Sequence, residues 1–373
     1  MTKITTVRSC TVRVPLDNPT SFSSRQVLAR EFALVEVEAD DGVKGIGFTY
    51  GGSTAGSIVT EAVRELLAPV LIGEDPFRVE GLWNEMYREA LLQGRAGAVM
   101  RAISALDIAL WDRNARAAGL PLYKLLGGFA VESVRGYASG GYYLDGKTPE
   151  MLGRELKGYV DLGFDAVKMK VGRLDRAGEE ERIAAARAAI GDDVILMLDC
   201  NNGWRDVETA LRYMTAFEPY DPYWIEEPFL PDDIASHAKL AERTPVPVAT
   251  GEIEAGRWRF KELLEAAAAA ILQPDAIACG GITEWRRIAA LAAAHGVSVC
   301  PHAYHELHLH LAASTPNASF VEVFTDDQIV NFRNLITPQA ELDGGRVLLP
   351  AAPGLGFDYV TDAVDEFAIQ PWA

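Results

Sequence analysis

The chain has 373 residues, 49% hydrophobic and 24% charged, with a mean hydropathy of +0.03. That suits one large or two ordinary globular domains with a sizeable core. A formal net charge of −18 argues against nucleic acid and anionic membrane surfaces as partners, although one local cation can still make a pocket for a small anion.

Residues 3–15, 31–39 and 43–49 alternate apolar and polar side chains, as half-buried strands do. Asp40-Asp41-Gly42 is a hairpin turn between the last two, and the polar stretch Leu16–Arg25 is expected to be a loop. Helical periodicity follows at about 55–70, 77–92 and 96–118, ending at Gly119-Leu120-Pro121. From about 132 the texture changes to eight short apolar strands separated by helical stretches, which points to a (β/α)8-type barrel rather than a doubly wound sheet. The expected division is an α+β N-terminal capping domain over 1–128, a barrel domain over 129–328, and a C-terminal segment over 329–373 that packs back on the cap. Cys10, Cys200, Cys279 and Cys300 lack paired short spacing, so neither a disulfide framework nor a zinc site is expected. With no basic-then-apolar leader and no apolar run of spanning length, the expectation is a cytoplasmic enzyme or binding protein.

The stretch Ala166–Gly172, Ala-Val-Lys-Met-Lys-Val-Gly, puts Lys168 and Lys170 on one face of an apolar strand. Either this is an edge strand with a solvated basic face, or mutual repulsion and desolvation lower a lysine pKa until it can act as a base. The residues at the expected C-terminal strand ends favour the second reading, because that rim carries the active site in such barrels. After Lys170 come Asp199, Glu226, Glu252, Asp275, His302 and Glu322, separated by 20 to 29 residues, about one βα unit each. Carboxylates on three consecutive strands, Asp199, Glu226 and Glu252, suit a hard cation such as Mg²⁺. Asp275 beside His302 suggests a carboxylate fixing an imidazole tautomer. A base on each side of a Lewis acid fits proton abstraction next to a carboxylate, with the metal holding the enediolate that forms.

These residues resemble the enolase superfamily, mandelate racemase subgroup, along nearly the whole chain. The likeness rests on Ala105-Leu106-Asp107-Ile108-Ala109-Leu110-Trp111-Asp112, Pro121-Leu122-Tyr123-Lys124-Leu125-Leu126-Gly127-Gly128, Lys168-Met169-Lys170, Leu198-Asp199-Cys200-Asn201, Trp224-Ile225-Glu226-Glu227-Pro228, Gly251-Glu252, Pro274-Asp275 and Pro301-His302. A lysine or histidine base working with Mg²⁺ is the established pattern of that superfamily. The resemblance implies Mg²⁺ on Asp199, Glu226 and Glu252, and Lys170 as the base on one face. Lys168 would neutralise the substrate carboxylate and lower its neighbour's pKa, while His302, paired with Asp275, would act on the other face. Glu322 falls where an acid donates to the substrate carboxylate, and Asn201 where a polar group touches a hydroxyl. Glu227 is placed behind these groups. The resemblance also implies a symmetric homo-oligomer, dimer to octamer.

Tyr304 and His305 follow the seventh strand end and are candidates for the pocket lining, while His308 and His310 are expected to be packed or solvated. His305-Glu306-Leu307-His308 is not a zinc-protease motif, because position 309 is Leu. Ser139–Tyr143 is either a pocket wall or a turn with packed rings. The polar stretch Asp17, Asn18, Thr20, Ser21, Ser23, Ser24 and Arg25 favours a sugar acid over an aromatic hydroxyacid. Arg25 is the expected clamp for a second carboxylate. The expected activity is a Mg²⁺-dependent acid-sugar dehydratase making a 2-keto-3-deoxy acid, with an aldarate ahead of an aldonate. The alternative is a 2-hydroxyacid racemase or epimerase using the same residues. A cycloisomerase or a non-catalytic sugar-acid-binding barrel stands behind both.

Overall fold

The structure, a computed structural model, describes residues 2–373 apart from 24, 25, 130, 327 and 328, and apart from the side chains of residues 17 and 18. Three antiparallel strands open the chain: β1 (Ile4–Ser21), β2 (Gln26–Ala39) and β3 (Lys44–Gly52). Their alternation is explicit in the register, which pairs Val7 with Val37 and Leu34 with Phe48. Most of the expected loop Leu16–Arg25 is instead an extension of β1. After an irregularity between Pro15 and Thr20, Ser21 pairs with Gln26, so the hairpin reaches far beyond its hydrophobic part.

The helix Gly97–Ala117 lies across this sheet. The contact requires glycine, since a Cβ on Gly47 would stand 2.0 Å from the Ala105 carbonyl oxygen. Two buried aspartates of that helix join the cap to the rest of the molecule. Asp107 accepts from the Thr283 N–H (2.9 Å) and hydroxyl (2.6 Å). Asp112 accepts from the N–H groups of Ile46 (2.8 Å) and Leu355 (2.7 Å). The family-like motif Ala105–Asp112 is therefore a structural seam.

The barrel strands are β4 (Ser133–Gly140), β5 (Ala166–Lys170), β6 (Ile195–Asp199), β7 (Pro222–Glu226), β8 (Val248–Thr250), β9 (Ile271–Leu272), β10 (Ser298–Val299) and β11 (Val321–Val323). All pair in parallel, in sequence order from β4 to β10, and β11 pairs with β4. A parallel bridge from Val299 to Ala318 closes the ring. The residues 368–370 add a strand to the edge of β1, and 346–348 pair with β4, so the C-terminal segment touches both cap and barrel. Among the described residues no helix is long and apolar enough to cross a membrane.

Period-two alternation sets the barrel interior. A buried apolar layer contains Tyr137, Ala166, Met197, Trp224, Ala249, Ile271, Cys300 and Phe320, one from each strand or its edge. Two residues further along, on the same face, stand Lys168, Asp199, Glu226, His302 and Glu322. The ionisable layer thus rests directly on an apolar plug.

Candidate active site

A pocket of about 210 Å³ opens where the cap meets the C-terminal strand ends. From the barrel it is lined by Lys170, Asn201, Glu227, Glu252, His302 and Tyr304, among others. Of the residues expected at the site, these five come together: Lys170, Asn201, Glu252, His302 and Tyr304. Asp199, Glu226, Lys168 and Glu322 lie beneath the lining, each 1% exposed or less. Lys168 donates to Glu226 (2.7 Å), pairs with Glu322 (2.8 Å) and stands 3.6 Å from Asp199; Lys170 is hydrogen-bonded to Asp199. Glu322 also accepts from the Ala303 N–H at 2.8 Å. In this arrangement Lys168 and Glu322 satisfy each other below the floor and do not reach into the pocket.

The electrostatics reverse one expectation. Burial does disfavour charge on both lysines, and Lys168 does pull Lys170 down. Asp199 outweighs that repulsion at Lys170, and Glu226 and Glu322 do the same at Lys168, so both ammoniums are held above the usual lysine range. Burial works against ionised Glu322 too, but Lys168 and His302 overcome it and keep the carboxyl well below its ordinary value, so it is an anion here rather than a protonated donor. On β7 and just after it the balance tips the other way. Burial, with Asp199 adding its charge, pushes Glu226 up to about 8. Burial and the neighbouring Glu252 hold Glu227 far above the ordinary glutamate range.

His302, after β10, has its Nδ1 3.1 Å from Asp275 Oδ2 and its Nε2 3.5 Å from Glu252 Oε2. Asp275 therefore orients the imidazole as the sequence suggests. Burial resists a charged ring, but Glu252 and Asp275 prevail and raise its pKa to about 9. Asp275 is fixed in turn by the Ile277 N–H at 3.0 Å, and His308 Nε2 stands 3.5 Å away. His308 accepts from the Ala276 N–H (3.0 Å) and bonds the Ala303 carbonyl (2.7 Å), holding a segment in which Ala303 and Tyr304 have φ of 50° and 38°. His310 accepts from the Tyr123 N–H (3.2 Å) and bonds the Leu355 carbonyl (3.0 Å), so it is a packed residue. His305 begins the next helix and is not part of the lining; its Nε2 is 3.4 Å from Glu306 Oε1.

Asn201 has φ of 42°; its N–H donates to Asp199 (2.9 Å), while its buried Oδ1 has no partner among the described residues and is available to a ligand hydroxyl. Tyr142 joins the pocket wall, with Lys170 Nζ 5.1 Å from its ring centroid, whereas Tyr143 packs on Arg182 and lines a separate cavity, so Ser139–Tyr143 gives the pocket one ring. Arg25, the expected clamp, lies outside the described residues, as does Ser24. The side chains of Asp17 and Asn18 also lie outside the described structure, and Thr20, Ser21 and Ser23 do not line the pocket. Ser23 donates to the Cys200 carbonyl (2.5 Å), tying the hairpin tip to the end of β6, and Thr20 and Ser21 line a separate cavity. The cap wall of the pocket consists of Phe22, Val27, Arg30 and Tyr50.

Residues 4–127 match the mandelate racemase / muconate lactonizing enzyme N-terminal domain, and residues 151–363 match the enolase C-terminal domain-like family. The chain belongs to the enolase superfamily, in its mandelate racemase subgroup. It is 37% identical to the L-talarate/galactarate dehydratase of Salmonella typhimurium, over 92% of this chain and 86% of that protein. It is 36% identical to the D-galactarolactone cycloisomerase of Agrobacterium fabrum, over 98% of both chains. Its fold superposes on the L-talarate dehydratase of Polaromonas sp. JS666, complexed with Mg and L-glucarate, with a TM-score of 0.89 and 36% identity, covering 100% of this chain and 99% of that one.

As an enolase-superfamily site, the donor set fits a hard divalent cation. Asp199, Glu226 and Glu252 come from three consecutive strands, Asp199 directly beside Glu226 in the ladder. As they stand, Asp199 and Glu226 turn to the lysines, and among the described residues no three His, Cys, Asp or Glu side chains converge on an ion. The fit lies in the charge: with both lysines already in place, Glu226 and Glu227 still resist ionisation. A further positive charge would relieve that excess. Glu227 is the superfamily-motif residue that sequence reasoning placed too far back. It lines the pocket with φ of 43°, held by Asn202 Nδ2 at 2.7 Å. A second carboxylate immediately after a strand end was the available signal.

Proposed function

We propose that this chain is a Mg²⁺-dependent acid-sugar dehydratase that converts an aldarate, ahead of an aldonate, to a 2-keto-3-deoxy acid. It is an enzyme, a hydro-lyase of the sugar-acid class, and its cofactor is Mg²⁺. The single observation that carries the reading is the placement of two proton-handling groups on separate strands of one pocket. Lys170 ends β5 and His302 follows β10, with the carboxylates of β6, β7 and β8 in order between them.

Asp199, Glu226 and Glu252 would hold the cation. Mg²⁺ supplies positive charge that makes the substrate carboxylate a better sink for electrons as the α-carbon loses its proton. Asp199 is the strongest stabiliser of the Lys170 ammonium, so an Asp199 shared with a cation would leave Lys170 closer to the range of a working base. Lys170 then removes the α-proton. His302, oriented by Asp275, delivers a proton to the β-hydroxyl as it leaves, and Asn201 Oδ1 accepts from a substrate hydroxyl. The pocket as a whole binds the chain of the sugar acid between barrel and cap. We further propose that the protein works as a homo-oligomer, which mass photometry would test.

The two opposed groups also suit a racemase, in which His302 would return the proton to the opposite face. The test is a screen of mono- and diacid sugars with Mg²⁺, reading 2-keto product as its semicarbazone. Product from any sugar acid is the expected result. Silence across the library, with deuterium exchange on 2-hydroxyacids, would replace the dehydratase with the racemase.

A further inference from the structure

Arg30 is the residue on the cap wall that the chemistry above leaves unused. It sits in β2, opposite Val14 of β1, and is 8% exposed. It lines the same pocket as Lys170 and His302. Its Nε donates to the Ile329 carbonyl at 2.7 Å, and its guanidinium lies 5.3 Å from the Tyr50 ring centroid. Its charge is also felt by the hydroxyls of Tyr142 and Tyr304, which flank the pocket from the barrel. Among the described residues no Asp or Glu stands within ion-pair distance of it. By contrast, Arg13 on the neighbouring strand pairs with Glu31 (2.5 Å), and Arg113 of the cap helix pairs with Asp41.

A guanidinium nine-tenths buried without a counter-charge is costly, because its hydration is lost and no anion replaces it. The one hydrogen bond at Nε fixes the plane of the group and leaves its terminal nitrogens for a further acceptor. That fork matches a carboxylate in bidentate geometry. The remaining cap wall, Phe22, Val27 and the Tyr50 ring, offers no other cation among the described residues. The barrel side holds the cation-binding carboxylates and Lys170. A substrate with a carboxylate at each end would meet positive charge at both.

We propose that Arg30 is the specificity-determining residue for the distal carboxylate of the substrate, which makes this site selective for sugar diacids over the matching monoacids. The proposal rests on the sugar-acid reading above and narrows it. Arg30 takes the part that the sequence assigns to Arg25. It moves no proton, so it acts on binding rather than on the chemical steps.

The test measures binding without turnover. Galactarate and galactonate, which differ at the distal carbon, are titrated calorimetrically into the Mg²⁺-loaded full chain carrying Lys170→Ala. That chain is expected to bind galactarate more tightly. Adding Arg30→Met should weaken galactarate about 10- to 100-fold, the range of one charge-assisted bidentate contact, and galactonate less than about 3-fold. Arg30→Lys should fall between the two, keeping the charge and losing the fork. Circular dichroism and an unchanged Mg²⁺ affinity certify the fold of each variant. Equal weakening of both ligands, no weakening of either, or no preference for the diacid in the parent overturns the proposal. Diacid preference abolished by Arg30→Met, in a chain whose unmutated form dehydrates nothing, would sustain the clamp and refute the dehydratase.

Discussion

On the barrel side of the pocket, Lys170, Asn201, Glu227, Glu252 and His302 each sit at, or within three residues of, the end of a parallel strand. On the cap side, Val27, Arg30 and Tyr50 come from the antiparallel strands β2 and β3, and Phe22 from the tip between β1 and β2. The barrel wall is dense in ionisable groups that crowd and satisfy one another. The cap wall is apolar except for one cation. A hydrogen-bonded ladder fixes the relative positions of the first set, which is what holding an ion and moving protons require. The second set is carried by a hairpin, where residues can change without disturbing that ladder. Chemistry is therefore expected to reside in the barrel, and choice of substrate in the cap.

Lys170→Ala puts the largest strain on this division. It should lower kcat by about 10³-fold or more for every sugar acid alike, with circular dichroism unchanged. A loss that differs strongly between diacids and monoacids would place substrate choice in the barrel. Asp199→Ala should weaken Mg²⁺ by about 100-fold or more in calorimetry. Tyr50→Leu should leave that affinity within about 2-fold, since the cap holds no ligand of the ion. At the seam, Asp107→Ala strands the N–H and hydroxyl of Thr283 in a buried contact between the cap helix and the barrel. Urea denaturation should show about 2 kcal/mol of lost stability. A second, separate transition would mean that cap and barrel unfold independently. The smallest expected effect is that of Tyr50→Leu on substrate choice. Removing the ring beneath Arg30 should lower the diacid-to-monoacid ratio of kcat/KM a few-fold with kcat unchanged, an effect of about 1 kcal/mol or less.

The same division explains what could be read from the sequence. Barrel strands repeat a short pattern, an apolar residue followed two positions later by an ionisable one, as in Met197 and Asp199 or Trp224 and Glu226. One such pair per βα unit exposes both the fold and the chemical rim. The signs of the lysine pKa shifts were not legible, because they depend on which carboxylates fold onto Lys168 and Lys170 from neighbouring strands. In the cap, periodicity stops where β1 becomes polar, so the strand's continuation to Ser21 was hidden. That concealed Arg30 as the arginine on the pocket wall. The polar residues near the tip were read as sugar contacts, yet Ser23 serves to anchor the hairpin to β6. Likewise His305 and His308 are neighbours in sequence of His302, but the helix that begins at His305 turns them away from the pocket.

The most direct test of the central claim is hydrogen exchange in His302→Asn. Incubated with Mg²⁺ and galactarate in deuterium oxide, this variant should exchange the α-proton, seen by proton NMR, while forming no 2-keto product. That outcome would separate proton removal by Lys170 from protonation of the leaving hydroxyl by His302. Full dehydration by the variant, or loss of exchange with the fold and Mg²⁺ affinity intact, would contradict the account.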